Sequence, residues 1–415
     1  VSRHRPDALI RCLTALAQSD HPCFEVITVA DPGALAAVAR SRFHGLIKTA
    51  GFDTPNIAAA RNIGITLAAA PVVAFIDDDA VPEPTWLSRL TAPFANPDVA
   101  AAGGFVRGRN GLSYQWQARS IDRNTVETAL DVDQTTATLH RARPGHTIKT
   151  EGTNCAFRTA HLARIGGFDP DYAFYLDEAD VNMRLATAGR ITAIVPGAEV
   201  HHGFAASDRR SAARVPLSLF DIGASTAVFL RRHGGEQGKA LARLRAGQRQ
   251  RLVGMMVDGR MTPGDVGRLM ATLEAGIADG LHRPLEPLTA LNPDSVPFLP
   301  LPDTGPRPHD VIAGRFWQAR ALERAARDSV TQGRIATLIR LSPTARPHRV
   351  QFVAGGYWEQ AGGIFGPADR TGPKLLPSGF SRRIARETAR ISATRPLSHT
   401  ADGTEAVVQS LRKRV

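Results

Sequence analysis

Asp77, Asp78 and Asp79 follow one another directly after the apolar run Val72–Ile76. Three adjacent carboxylates repel one another, and folding alone gives no reason to gather them. Hard oxygen ligands of this kind suit a divalent cation such as Mg2+ or Mn2+. The other reading is a solvated acidic turn, because Asp is a common turn residue and Pro82 and Pro84 follow closely. A second acidic group, Asp177, Glu178 and Asp180, offers carboxylates for general acid–base work or for capping a helix start. His201 and His202 supply imidazoles that can ligate a metal or fill a surface or core position.

The run Val72–Ile76, entered from Pro71, has the length and composition of a buried strand in an α/β sheet. Acids just past such a strand lie where open α/β sheets bind their ligands, outside the carboxyl edge. Helical spacing covers Asp7–Gln18, Asn56–Ala70, Trp86–Phe94, Ala179–Ala188 and Leu217–His233, and strands are predicted at Phe24–Val29 and Ile191–Val195. This alternation over residues 1–235 predicts an α/β fold, a mostly parallel sheet sandwiched by helices.

Further groups accompany the acids in a fixed order. Asp31 ends a strand, Arg61-Asn62-x-Gly64 lies on the helix before the acidic run, Asn154 sits within Gly152–Arg158, and Gly166–Asp169 leads toward the second acidic group. Over residues 1–235 the ordered set resembles the family 2 glycosyltransferases of GT-A fold. The resemblance implies a metal-dependent, inverting enzyme that moves a sugar from a nucleotide-diphosphate sugar to an acceptor hydroxyl. Asp77 and Asp79 would be the outer acids of a DxD motif, with Asp79 the direct ligand of Mn2+ or Mg2+ and His202, or else His201, completing the metal shell. Asp31, Arg61, Asp77, Asp78 and Asn154 would contact the donor. The catalytic group would be Glu178, Asp177 and Asp180, with Asp180 also suited to capping the helix. The family more often has Glu-Asp-x-Asp here, so the exchanged order leaves Glu178 and Asp177 both open as the base. The processive members' Gln-x-x-Arg-Trp motif and flanking transmembrane helices do not accompany the set, which implies single additions, in surface polysaccharide or glycan synthesis. A catalytically degenerate glycan- or partner-binding protein is the alternative. In the family a hydrophobic strand precedes the segment matching Val1–Pro6, so an in-frame apolar segment of about five residues is expected upstream.

The 415 residues exceed one typical domain, and 43% apolar with 22% charged residues is ordinary for a globular chain. Residues 1–235 hold 24 Lys and Arg against 23 Asp and Glu, while residues 236–415 hold 27 against 16. The basic surplus therefore belongs to the second part, and an anionic membrane surface or a solvated Arg-rich face would each explain it. No nucleic-acid module accompanies it. The expected organisation is a GT-A domain over 1–235, a basic helical segment over 236–283, a Pro-rich linker or wrapped loop over 284–310, and a small α+β region over 311–415. There an amphipathic helix is predicted near Phe316–Val330, with strands near Ile335–Leu341 and Arg349–Val353. The Gly-flanked aromatics of Gly355–Gly366 suit turns and packing, or an acceptor subsite. Arg209, Arg210 and Arg214 could clamp a diphosphate or form a solvated face. Cys12, Cys23 and Cys155 are odd in number without metal-ligand spacing, which suits a reducing compartment. No apolar stretch reaches transmembrane length, so the expected location is cytoplasmic, with peripheral attachment at the inner membrane face as an extension of the charge argument.

Overall fold

The computed structural model describes residues 1–203, 209, 211, 213–292, 296–370 and 372–397, and the backbone alone of 408–410. Arg210 and Pro293 lie outside the described residues. Helix α1 (Pro6–Leu16) opens on a proline, whose missing N–H costs nothing in a first turn, and buries Leu9, Cys12, Leu13 and Leu16. Strand β1 (Ile27–Ala30) runs into Asp31, whose side chain caps α2 (Pro32–Ala39). Strand β2 (Lys48–Gly51) pairs in parallel with β1, and Asn56 caps α3 (Ile57–Thr66). The Asp run joins β3 (Val72–Phe75) to β4 (Ala80–Pro82), and α4 (Trp86–Thr91) follows.

The remaining strands of the first domain are β5 (Val99–Arg107), β6 (Tyr114–Trp116), β7 (Arg119–Asp122), β8 (Glu127–Ala129), β9 (Thr138–Arg141), β10 (His146–Lys149) and β11 (Cys155–Arg158). Helices α5 (Thr159–Arg164) and α6 (Asp177–Thr187) then lead to β12 (Ile191–His202). The central sheet has seven strands, with β3-β11-β5-β12-β4 as its main order. It is mixed: β12 runs parallel to β5, while β11 and β4 enter antiparallel. The α/β layering expected from the alternation is present, and the antiparallel members come from the excursions between helices. Strand β12 extends well beyond the predicted Val195, because Pro196 and Gly197 form a bulge, with a register shift against β5 between Val195 and Glu199. Strand β3 is only half-buried, since it borders its sheet. Between β1 and β3 lies an apolar cavity of ≈ 570 Å³ lined by Val26–Val29, Val72–Ile76, Leu9 and Leu13.

Helices α7 (Phe220–His233), α8 (Gln237–Val257) and α9 (Pro263–His282) form a helical unit. A Cβ on Gly276 would lie 2.0 Å from the Phe220 carbonyl, so α7 and α9 touch backbone to backbone. Helix α7, assigned from the sequence to the first domain, thus packs on α9 as well as on Ile121, Tyr172 and Met183. The Pro-rich stretch is a wrapped strap: Leu291 donates to Ala163 O at 2.9 Å and Leu301 to Phe24 O at 2.8 Å.

The last unit comprises β13 (His309–Arg315), α10 (Ala319–Thr331), β14 (Ile335–Ser342), β15 (Arg349–Phe352), β16 (Trp358–Gly363), α11 (Phe380–Ile391) and β17 (Val408–Ser410). Its order is β15-β16-β14-β13-β17, parallel except for β15. Helix α10 covers one face through Leu322 and Ala326, and α11 the other through Ile384 and Ile391. The Gly-rich aromatic segment supplies β16, an interior strand, and Trp358 is buried in the joint with the first domain rather than open to a sugar. Among the described residues no helix is long and apolar enough to cross a membrane.

The joint is both apolar and charged. Ile335, Val350, Phe352 and Trp358 pack on Ala15, Val81 and Leu112. Arg395 donates to both oxygens of Glu83 at 2.7 Å, and its guanidinium lies 3.8 Å from the Trp358 ring centroid. Burial alone would raise the Glu83 carboxyl, and the Arg395 cation instead holds it far below the usual range. Removing one member of a buried pair leaves the other uncompensated. Arg395→Met is therefore expected to lower stability by about 3–5 kcal/mol in urea titration, and adding Glu83→Gln should recover part of that loss.

Candidate active site

The turn after β3 is closed by the Ala80 N–H, which donates to Asp77 O at 3.0 Å. Strand β4 then pairs antiparallel with the end of β12, placing His202 opposite Ala80, and Gly203 N–H donates to Asp79 O at 2.8 Å. His202 Nε2 consequently lies 3.3 Å from Asp79 Oδ1 and 3.9 Å from Asp77 Oδ2. Its Nδ1 is 3.2 Å from Gln115 Oε1, and an N–H donated there turns the Nε2 lone pair toward the carboxylates. Asp77, Asp79 and His202 so present three ligand atoms within 4.8 Å of one another.

His201 faces the opposite side, as successive strand residues do. Its Nε2 lies 2.8 Å from Glu83 Oε1, and its ring centroid is 4.8 Å from that of Trp358. Of the two imidazoles expected near the metal site, only His202 joins the aspartates. Glu83, Glu199 and His201 form a second group of possible ligands. Arg395 already pairs with Glu83, and Arg107 and Tyr114 donate to Glu199 at 2.8 and 2.6 Å, so this group is compensated without an ion.

The segment Val1–Arg5 laces the acidic run to Asp31. Ser2 Oγ donates to Asp78 at 2.7 Å, and Arg5 pairs with Asp78 at 2.7 Å and with Asp79 at 3.5 Å. Burial pushes the Asp78 carboxyl up to about 6. Asp31 Oδ2 accepts from the His4 N–H at 2.8 Å, while Oδ1 accepts from Gly33 and Ala34 at 2.9 and 3.2 Å. Burial would raise that carboxyl, but these three backbone donors hold it below its ordinary value. Asp31 is thus a helix cap first, and only lone pairs left by these donors could meet a ligand.

Arg61 joins the two acidic groups. Its guanidinium pairs with Asp177, lies 3.6 Å from Asp77 Oδ1, donates to Gly152 O at 3.0 Å, and covers the Phe168 ring at 5.0 Å. A Cβ on Gly152 would meet Arg61 Nη2 at 2.6 Å, so the glycine makes room for the contact. Tyr175 and Leu176, both at positive φ (75° and 65°), turn the chain into α6 and set Asp177 and Glu178 in its first turn. Held αL conformations of non-glycine residues are a local strain that clusters at functional sites. Glu178 lies 3.8 Å from Lys149 Nζ, which also pairs with Glu151 at 2.6 Å and Glu127 at 3.2 Å. Burial, and then the neighbouring Asp177, raise the Glu178 carboxyl well above its ordinary value, while Lys149 pulls it down.

Asn154, Asp180 and Arg209 make other contacts. Asn154 is fully buried, accepts from Trp86 Nε1 at 2.8 Å and donates to Phe105 O and Ala198 O at 2.9 Å. Its amide is engaged in pinning the β12 bulge. Asp180 neither caps α6 nor joins Glu178: it pairs with Arg184 at 2.6 Å and with His233 at 2.9 Å, tying α6 to α7. Arg209 pairs with Asp221 and lies over Phe174 at 4.6 Å, a packing contact rather than a diphosphate clamp. Ser2, Arg5, Gln115 and Lys149 were not legible as site residues. Only Lys149, a cation inside the strand His146–Lys149, carries a local sign of an acidic partner.

A central sheet with an acidic turn at its edge, a histidine from β12 and a buried carboxylate pair is the arrangement that the resemblance read from the sequence implies. The model described as "Glycosyltransferase like family 2" matches residues 1–216 of the 415, and the chain belongs to that family. The chain is similar to solved structures that include the following two. GalNAc-T7 with UDP, GalNAc and Mn2+ shares 14% identity, with TM-score 0.37, over 50% of this chain and 41% of that one. TarS residues 1–349 of S. aureus, in complex with UDP, shares 15% identity, with TM-score 0.38, over 66% of this chain and 85% of that one. This chain thus spans less than half the length of the GalNAc-T7 chain. No curated protein matches the chain.

Arg61 is the buried cation on which Asp177 depends. Arg61→Met is expected to cost about 3 kcal/mol or more in chemical denaturation at neutral pH, because Asp177 is left charged and unpaired.

Proposed function

We propose that the protein transfers a sugar from a nucleotide-diphosphate sugar to an acceptor hydroxyl, with inversion and with the help of a divalent cation. The observation that carries this reading is the convergence of Asp77, Asp79 and His202 beside the Arg61–Asp177–Glu178 group. Two carboxylates with one imidazole fit Mn2+ or Mg2+, and these three residues would hold the ion. Such an ion offsets the negative charge that gathers on a departing nucleoside diphosphate.

The chain's own residues account for the rest. Asp177 is locked against Arg61, which leaves Glu178 as the better base for the acceptor proton. Lys149 keeps Glu178 within reach of ionisation despite its burial. With Asp177 held by Arg61, and Asp77 and Asp79 assigned to the cation, Glu178 serves as base and the reading is direct displacement with inversion. Asp31, with the adjoining segment Val1–Arg5, would form the wall for the nucleotide, and Asp77 and Arg61 the contact to the sugar diphosphate. The acceptor would be a glycan or lipid-linked saccharide in surface polysaccharide synthesis.

With nucleotide sugars and Mn2+, release of nucleoside diphosphate is expected to vanish in Asp79→Ala. Activity that persists in that variant and in EDTA would overturn the metal role, and donor binding without turnover on any acceptor would indicate a degenerate binding protein. Glu178→Gln should lower kcat by about a hundredfold or more while leaving donor affinity intact. A carboxylate base works ionised, so kcat/KM should still be climbing with pH where an ordinary glutamate, near 4.5, has already ionised. The stability sign is opposite. The folded value exceeds the unfolded one, so the Glu178 contribution is full below the unfolded value and is lost as pH rises through the folded value. Glu178→Gln should therefore raise thermal stability at neutral pH.

A further inference from the structure

The last unit meets the first domain through one pole of its sheet. His309, Ile335 and Trp358 open β13, β14 and β16, and Ile335 and Trp358 lie in the joint. The three strands are parallel, so their carboxyl ends form the opposite pole, remote from the first domain. There the chain exposes large apolar side chains: Phe316 is 51%, Trp317 60% and Leu375 58% accessible. Phe316 and Trp317 stack edge to face at 5.1 Å, Arg315 covers Phe380 at 4.1 Å, and Leu376 donates to the backbone of the exposed Phe365 at 2.9 Å.

Charge in this unit runs against what folding alone favours. Residues 309–395 hold 15 Lys and Arg against 6 Asp and Glu. Asp310, Glu359 and Glu387 are engaged by Arg334, Arg340 and Arg383. Helices α10 and α11 both start at the carboxyl pole, where their dipoles favour acids, yet neither has an acid in its first turn. Arg320 and Arg382 stand there instead, exposed, with exposed Arg346 and Lys374 nearby. Cations on the positive ends of two helices, beside an exposed Trp and Phe, call for an anionic and partly apolar neighbour.

We propose that this pole docks the enzyme on an anionic phospholipid bilayer, with Phe316, Trp317 and Leu375 entering the headgroup–acyl boundary and the arginines resting on lipid phosphates. Amphipathic aromatics beside Arg and Lys are the side chains that settle at that boundary, and each cation adds attraction to anionic headgroups. The sugar-transfer site would then stay in solution, with the docking pole at the far end of the molecule. The test is sedimentation of the full chain with vesicles of phosphatidylcholine alone or containing phosphatidylglycerol. Binding is expected only to the anionic vesicles, weakening steeply as salt is raised. The double variant Phe316→Ser/Trp317→Ser should lower the partition coefficient by about tenfold or more. Val257→Ser, an exposed apolar control on α8, should leave it unchanged. Nucleoside diphosphate release from donor in solution should be unaltered in both variants, which separates this inference from the proposed activity. Equal binding to neutral vesicles, no binding to anionic ones, wild-type binding by the double variant, or a self-association abolished by it without lipid binding would each overturn the proposal.

Discussion

Like charge held at close quarters is the constraint around which this molecule is arranged. Asp77, Asp78 and Asp79 end one strand, and Asp177 and Glu178 open a helix that Arg61 brings against the same edge. Buried carboxylates need partners, and the chain supplies them from far apart: Arg5 from the N-terminal segment, Arg61 from α3, Lys149 from β10 and His202 from β12. Two of the acids keep a mark of this crowding. Burial leaves Glu178 well above its ordinary value and Asp78 near 6, so both hold a proton more readily than carboxyls in water. Packing alone does not require buried carboxyls of this kind at one sheet edge.

The last unit, β13 to β17, bears on the site through β12. Its Arg395 grips Glu83, Glu83 bonds His201, and His201 is the chain neighbour of His202. The Trp358 ring lies against both Arg395 and His201. The same unit therefore braces the strand end that carries an imidazole of the site, while its opposite pole keeps its aromatics and arginines outward. A parallel sheet makes this division natural, since its two poles carry different strand ends and opposite helix dipoles.

Much of the first domain was legible from pattern. The run Val72–Ile76, the helix through Arg61 and the start of α6 were placed within a few residues, because apolar periodicity and Gly or Pro boundaries act locally. The strand Ile191–His202 was cut short at Pro196-Gly197, a signal that usually ends a strand and here makes a bulge. The segment Trp358–Gly363 looked like a turn because glycines surround it, although those glycines admit close neighbours inside a sheet. Asn154 stood in a motif that suggested ligand contact, and its amide proved to serve the backbone of the bulge.

By itself the sequence determined the α/β layering, the position of the acidic run at a strand end, the separation of a balanced first part from a basic second one, and the family. These properties rest on residue type, local periodicity and order along the chain. Only the tertiary structure decided that His202 rather than His201 meets the aspartates, that Asp180 belongs to a joint with His233, and that Arg5, Lys149 and Arg395 hold buried acids. The reason is register. Which side of β12 faces Asp79 depends on how β12 pairs with β4 and β5 across a bulge, and one residue of slip would exchange the two histidines.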